Sequence, residues 1–206
     1  MDHKYIMELA GLFEKYGSDK NRNGYTPVYH SLFKNLRDKE IVFMEIGIGT
    51  MIQGAPSSMV GYALPNYKPG GSLRAWRDYF PKAQIHGVDI QPDTQFTEER
   101  IHTHLCNSFD VEACRSFFQR EDVPIEIDII IDDGAHYDEH QLKTFYNFYN
   151  LIKEGGFYII EDVYPGSRIM TDFLPKIRRY AGNAHVFGAY LTDDREKRTP
   201  ILIISK

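Results

Sequence analysis

From residue 41 onward, short apolar runs alternate with stretches of helical spacing. Ile41–Gly47, Gln84–Ile90, His102–Cys106, Glu126–Asp132 and Phe157–Glu161 read as strands. Between them Ser72–Tyr79, Val111–Gln119, Glu139–Lys153 and Ile169–Tyr180 read as helices. Near-continuous Ile and Val runs separated by helices predict a mostly parallel sheet covered on both faces. The last two strands, Ala184–Tyr190 and Pro200–Ser205, flank the charged turn Asp193–Arg198 and leave no room for a crossover helix. They are expected to pair as an antiparallel hairpin at one edge. Ahead of the sheet, Leu9, Leu12, Phe13 and Tyr16 lie at helical spacing, the polar loop Gly17–Asn21 interrupts, and Tyr25–Leu36 resumes the helical pattern. The expectation is one α/β domain over residues 1–206: a doubly wound, Rossmann-like sheet of seven strands with residues 1–40 as an N-terminal helical cap.

In such sheets the ligand lies beyond the carboxyl ends of the strands, near the switch in strand order. Each of the five expected parallel strands ends in a carboxylate or an amide, for which a purely structural sheet has little use. The first runs into Glu45-Ile46-Gly47-Ile48-Gly49. Glycines at Gly47 and Gly49 let the backbone approach a ligand closely. An acid at Glu45 suits an ammonium group and disfavours a phosphate, which points to a nucleoside bearing an amino acid. Asp89 ends the second strand, where an acid binds ribose hydroxyls, and Asn107 follows the third, placed for an adenine edge or simply for a turn. Asp89 lies 44 residues past Glu45, against about 20 in nucleotide folds. Residues 50–69, rich in Gly, Pro, Ser and Met, account for the excess as an insertion and are expected to form a lid. Ser72, after the second glycine pair Gly70-Gly71, and Asp132 join the cofactor set.

The other half of the site is acidic. Asp132-Asp133-Gly134-Ala135-His136 ends the fourth strand and Glu161-Asp162 the fifth. Carboxylates this close need a cation. Asp133, Glu161 and Asp162 form an all-oxygen set suited to Mg²⁺, with Mn²⁺ or Ca²⁺ as substitutes. His136 beside them is a candidate general base, catalytic together with Asp133. His136 and His140 could alternatively form a His-x3-His metal face. His102 and His104 are expected on a solvated strand face and Trp76 in the core.

Composition narrows the class. At 206 residues with 42% hydrophobic and 26% charged residues the chain can fold as a globular domain. A net charge of −5 supplies no global field for nucleic acid. No apolar run reaches the about 18–20 residues of a membrane span. Cys106 and Cys114 have neither metal nor redox spacing, so free thiols and a cytoplasmic location are expected. The 14% aromatic share has 14 Tyr against 13 Phe, and the tyrosines gather on site loops. Tyr25, Tyr29, Tyr62, Tyr67, Tyr137 and Tyr164 are therefore candidates for stacking on an acceptor or adenine.

Five blocks in order carry a family resemblance: Tyr16-Gly17-Ser18-Asp19-Lys20, Glu45-Ile46-Gly47-Ile48-Gly49, Gly70-Gly71-Ser72-Leu73-Arg74, Asp132-Asp133-Gly134-Ala135-His136 and Ile160-Glu161-Asp162. With them the chain resembles the metal-dependent class I methyltransferases that O-methylate sugars on macrolide antibiotics. The terminal hairpin suits that variant of the doubly wound fold. The resemblance implies S-adenosylmethionine as methyl donor, Mg²⁺ at Asp133, Glu161 and Asp162, and a base at His136. Ala135 stands where the family has serine. The implied acceptor is a carbohydrate or glycosylated small molecule, a deoxysugar such as rhamnose, with neither nucleic acid nor membrane as partner and a homo-oligomer left open. A catechol-type methyltransferase, an NAD-linked oxidoreductase and a non-catalytic S-adenosylmethionine-binding subunit are the rival readings.

Overall fold

The computed structural model describes residues 2–56, 58–164, 166–192 and 198–206. The charged turn expected around Asp193–Arg198 therefore falls almost wholly outside the described residues. Six helices are α1 (Asp2–Lys15), α2 (Tyr25–Phe33), α3 (Gly71–Tyr79), α4 (Val111–Phe117), α5 (Asp138–Phe148) and α6 (Leu174–Ala181). Eight strands are β1 (Val42–Ile46), β2 (Gln84–Asp89), β3 (Thr97–Glu98), β4 (Ile101–Leu105), β5 (Ile127–Asp132), β6 (Ile152–Ile160), β7 (His185–Thr192) and β8 (Arg198–Ser205). They form one sheet in the order β3-β4-β2-β1-β5-β6-β8-β7. Five central strands are parallel. The terminal hairpin is antiparallel, with β8 inserted beside β6 and β7 at the edge.

Among the described residues the strand count is eight where seven were expected. The extra one is the two-residue β3, which pairs antiparallel with β4 and is too short to leave a periodic signal. Helix boundaries also move. The helix expected over Glu139–Lys153 ends at Phe148, and Ile152 already starts β6. The helix expected from Ile169 starts at Leu174, with Pro175 in its first turn.

The apolar strands divide their side chains by parity. Phe43, Ile129, Ile131 and Ile159 face one layer, where α1, α2 and α3 pack around Trp76. Met44, Ile130, Tyr158 and Ile160 face the other, against Phe117, Phe145 and Phe148. This period of two, buried on both sides, is why the strands read as continuous apolar runs. Trp76 is fully buried, as expected, with the rings of Phe13, Phe43 and Tyr29 at 5.0–5.2 Å.

Histidines cross the sheet between β2 and β4. His86 Nδ1 lies 3.0 Å from His104 Nε2 and the rings stack. Only His102 of the β4 pair is exposed. His104 is buried, because the register sets it diagonally against His86 and under Phe117. Burial pushes both down, His86 to about 3 and His104 to about 4; the nearby Asp122 only partly opposes this, and His102 and Arg120 add to it. Below pH 6.5 the unfolded chain would protonate both imidazoles while the fold keeps them neutral. Stability is therefore expected to fall between pH 7 and pH 5 by about 1–2 kcal/mol per histidine. Urea unfolding across that range measures it; a flat profile would contradict the buried neutral pair.

Candidate active site

Strand order reverses between β1 and β5, and a cavity of about 390 Å³ opens there beyond the strand ends. Its walls include Gly47, Asp89, Asn107 and Phe109 on one side and Asp133, His136 and Asp162 on the other. The backbones that carry them are stitched together. The Gly47 N–H donates to Val88 O (2.8 Å), the Asp133 N–H to Ile46 O (2.8 Å) and the Glu161 N–H to Asp132 O (3.0 Å).

In the first half, Asp89 accepts the Ile48 N–H at Oδ2 (2.7 Å) and the Gln91 N–H at Oδ1 (2.8 Å). Burial raises its pKa, and these backbone donors oppose the rise. Asn107 lines the cavity next to Phe109, whose ring stacks on His140 at 3.9 Å. His140 is thus an aromatic wall and stands apart from the acid cluster. Ser72 lines the cavity. Glu45 itself is fully buried behind the wall. Its Oε2 accepts the Trp76 indole N–H (3.0 Å) and its Oε1 lies 3.3 Å from the Lys20 ammonium. The cation that this acid meets is the chain's own. Burial raises the Glu45 pKa, and Lys20 opposes the rise.

Thr50, Pro56, Met59 and Tyr67 of the 50–69 segment line this cavity. Met59 N–H donates to Thr50 O (2.9 Å), and Thr50 Oγ1 donates to Asp93 (2.6 Å). Tyr67 is tucked beneath, its phenol donating to Gly49 O (2.7 Å) and Ile48 O (3.1 Å). Tyr62 stands outside, 69% exposed.

In the second half, Asp133, His136 and Asp162 each offer an atom within 4.8 Å of the others. His136 Nε2 lies 3.1 Å from Asp133 Oδ1 and Nδ1 lies 3.5 Å from Asp162 Oδ2. Burial would lower the His136 pKa, but Asp133 and Asp162 outweigh it and raise it to about 9. His136 (φ 54°) and Asp162 (φ 48°) both hold left-handed backbone, a strain that side chains with a Cβ tolerate only where the surroundings enforce it. Asp132 is buried, and burial raises it to about 7 despite the Gly134 N–H.

Glu161 stands apart from that trio. Its carboxylate receives the Lys20 ammonium (2.7 and 2.9 Å) and the Tyr29 phenol. The same ammonium reaches Asp133 Oδ2 at 2.6 Å. Burial disfavours the Lys20 charge, but Asp133, Glu161 and Glu45 outweigh it and raise the pKa well above its ordinary value. Burial would raise Asp133, but Lys20 and His136 outweigh it and hold the carboxyl at about 2.

The tyrosines separate into two groups. Tyr25 and Tyr29 stack one helical turn apart on α2, both buried. The Tyr25 phenol donates to Asp162 Oδ1 (2.8 Å) and accepts the Asp162 N–H (3.1 Å). Tyr25, Tyr29 and Tyr67 therefore brace the site from inside. Tyr62, Tyr137 and Tyr164 are exposed. Sequence reasoning overlooked Lys20, Gln141, whose amide donates to Glu161 O (3.0 Å), and Phe109. Only Lys20 had a signal, its place in the Tyr16–Lys20 block.

No family model matches the chain. Among curated proteins it is 34% identical over 163 residues to 8-demethyl-8-alpha-L-rhamnosyl tetracenomycin-C 2'-O-methyltransferase of Streptomyces olivaceus, covering 79% of this chain and 39% of that protein. It is likewise 34% identical over 140 residues to mycinamicin VI 2''-O-methyltransferase of Micromonospora griseorubida, covering 68% and 31%. A solved structure of MycE methyltransferase from the mycinamycin pathway, in complex with Mg and SAH, superposes with a TM-score of 0.70 at 25% identity, over 97% of this chain and 54% of that one. The chain is a homologue of the antibiotic-sugar O-methyltransferases. Its sheet is the Rossmann-like methyltransferase fold expected from the sequence. It spans less than two fifths of the length of the curated relatives it matches.

Proposed function

We propose that the chain is an O-methyltransferase dependent on S-adenosylmethionine and a divalent metal, acting on a hydroxyl of a deoxysugar such as rhamnose carried by a small molecule. The observation that carries this is the strained trio Asp133, His136 and Asp162 on the wall of a cavity whose other wall is a glycine turn with a strand-end acid. The matched curated relatives are sugar O-methyltransferases, and MycE was solved with Mg and SAH.

The donors suit both groups. Asp89, Asn107 and Ser72 face the cavity where ribose, adenine and the amino-acid tail would lie, and Phe109 supplies a flat wall for a base. Asp132 lies beside them. Glu45 lies behind that wall, held by the Trp76 indole and the Lys20 ammonium. Asp133 and Asp162 offer hard oxygens, and Glu161 borders them with lone pairs that one ammonium and one phenol do not exhaust. We assign these three carboxylates as the Mg²⁺ ligands. The metal, when bound, orients acceptor oxygens and lowers the pKa of the attacked hydroxyl. Asp133 and Asp162 hold His136 protonated while they face it alone; a cation on those carboxylates would weaken that hold and leave a neutral imidazole, whose Nε2–H is held by Asp133 Oδ1 and whose Nδ1, the nitrogen with the longer carboxylate contact, would take the hydroxyl proton. Both carboxylates then stabilise the imidazolium. Tyr137 lines the cavity and, with the exposed Tyr62 and Tyr164, offers a face for the glycoside, while Thr50, Pro56, Met59 and Tyr67 stand on the cofactor side. The two buried free thiols suit the cytoplasm, and among the described residues no helix is long and apolar enough to cross a membrane.

Incubation with S-adenosylmethionine and a panel of rhamnosides, followed by mass spectrometry, tests the reading. A methylated glycoside is expected with Mg²⁺ and none with a chelator, while S-adenosylhomocysteine affinity changes by less than about threefold. Transfer to catechols alone, or transfer that survives chelation, would count against it.

A further inference from the structure

The loop between α1 and α2 has no part in the chemistry just described, yet it places a charge at the centre of the site. It is pinned on itself by Ser18 N–H to Phe13 O (2.9 Å) and Tyr25 N–H to Lys20 O (3.1 Å), and it delivers Lys20, 2% exposed, among the strand-end acids. Three carboxylates surround that ammonium: Asp133 Oδ2 at 2.6 Å, Glu161 at 2.7 Å and Glu45 at 3.3 Å. The remaining donors to the carboxylates of Glu45 and Glu161, the Trp76 indole and the Tyr29 phenol, are neutral.

We propose that Lys20 is a resident cation: its ammonium fills the inner of two cation positions formed by the strand-end acids and leaves the outer one, at Asp133 and Asp162 with Glu161 on its border, for a divalent ion. Asp133 is the wall between the two positions. Its Oδ2 faces Lys20 and its Oδ1 faces His136. Without an inner cation, Glu45, Asp133 and Glu161 would repel one another out of water, and Asp133 would have no reason to keep Oδ1 turned outward. Lys20 is thus a positioning residue for the outer site. It ties β1, through Glu45, to β5 and β6, and keeps the acids arrayed before metal arrives. The outer position rests on the metal-dependent reading above. The inner one stands on the contacts of Lys20 alone.

The test is Lys20→Met, which keeps the hydrocarbon stem and removes the charge, followed by Mn²⁺ calorimetry and thermal melting. An emptied inner position is expected to bind Mn²⁺. The variant should bind at least about tenfold tighter than wild type or take a second ion. Its metal-free Tm should fall by about 10 °C and recover in Mn²⁺. Adding Glu45→Gln, at the one surrounding carboxylate not assigned to the divalent ion, should restore at least half of the metal-free Tm and cancel the gain in Mn²⁺ binding. Wild-type affinity and stoichiometry in Lys20→Met would overturn the proposal. So would a double variant as unstable as the single one, since the loss would then be packing rather than charge. If Lys20→Met folds only when refolded with Mn²⁺, and not with Na⁺, that dependence supports it. Binding by the variant with none by wild type would support the inner position while sinking the metal-dependent reading, so the two fail separately.

Discussion

A His136→Ala variant is expected to lose methyl transfer by roughly 10²- to 10⁴-fold while S-adenosylhomocysteine binds as in wild type. The size follows from the acceptor. A sugar hydroxyl is a weak acid, and its oxygen becomes a competent nucleophile only as its proton leaves. In the proposed function His136 is the base for that step, and two carboxylates hold it, at 3.1 Å and 3.5 Å, on a backbone at φ 54° that no hydrogen-bonded helix or strand would produce. The separation from binding follows from position: the imidazole is on the acid wall, across the cavity from Asp89 and Asn107. His136→Gln, which retains a polar side chain but cannot take the proton, should lose activity comparably. Steady-state kinetics with the methylated glycoside as readout, alongside a calorimetric S-adenosylhomocysteine titration, checks both. A variant with more than a tenth of wild-type turnover would show that the proton leaves by another route.

The strand-end acids were legible because strands buried on both faces spell themselves out. Ile129-Ile130-Ile131 ends abruptly in Asp132-Asp133, and Ile159-Ile160 in Glu161-Asp162; a carboxylate directly after such a run must sit at a sheet end. The partner of those acids was hidden. Lys20 lies 113 residues from Asp133 and 141 from Glu161 in sequence, on a loop whose local pattern is merely polar. Nothing short-range marks a lysine that will be buried. The same blindness affected Tyr25. Its one-turn spacing from Tyr29 was visible, but that α2 turns both phenols toward β6 rather than toward a substrate depends on how the cap docks. His104 failed for a related reason. Alternation put it on the face of His102, but burial on that face depends on cross-strand register with β2 and on Phe117 above it.

The second large effect concerns the turn after β1. Gly47→Ala is expected to cost about 4 kcal/mol or more, lowering Tm by roughly 10 °C, and to weaken cofactor binding and methyl transfer together. Gly47 sits at φ 93°, which a residue with a Cβ rarely adopts. A Cβ there would also lie 2.0 Å from Asp133 O and 2.6 Å from its carbonyl carbon. Both partners are backbone, so no rotamer change relieves the clash. Neither strand end can retreat alone, because Gly47 N–H is bonded to Val88 O and Asp133 N–H to Ile46 O, each at 2.8 Å. The chain must instead part β1 from β5 where the cofactor turn meets the residue shared by Lys20 and His136. One methyl group therefore reaches both halves of the site. Gly54→Ala separates this from general glycine strain. Gly54 is also left-handed, at φ 79°, but an added Cβ meets nothing within 4 Å, so only the backbone cost of about 1–2 kcal/mol applies. Thermal melts and S-adenosylhomocysteine titrations of the two variants, side by side, measure the difference. Equal losses in both would mean that the close approach of Gly47 to Asp133 is not what holds the two walls together.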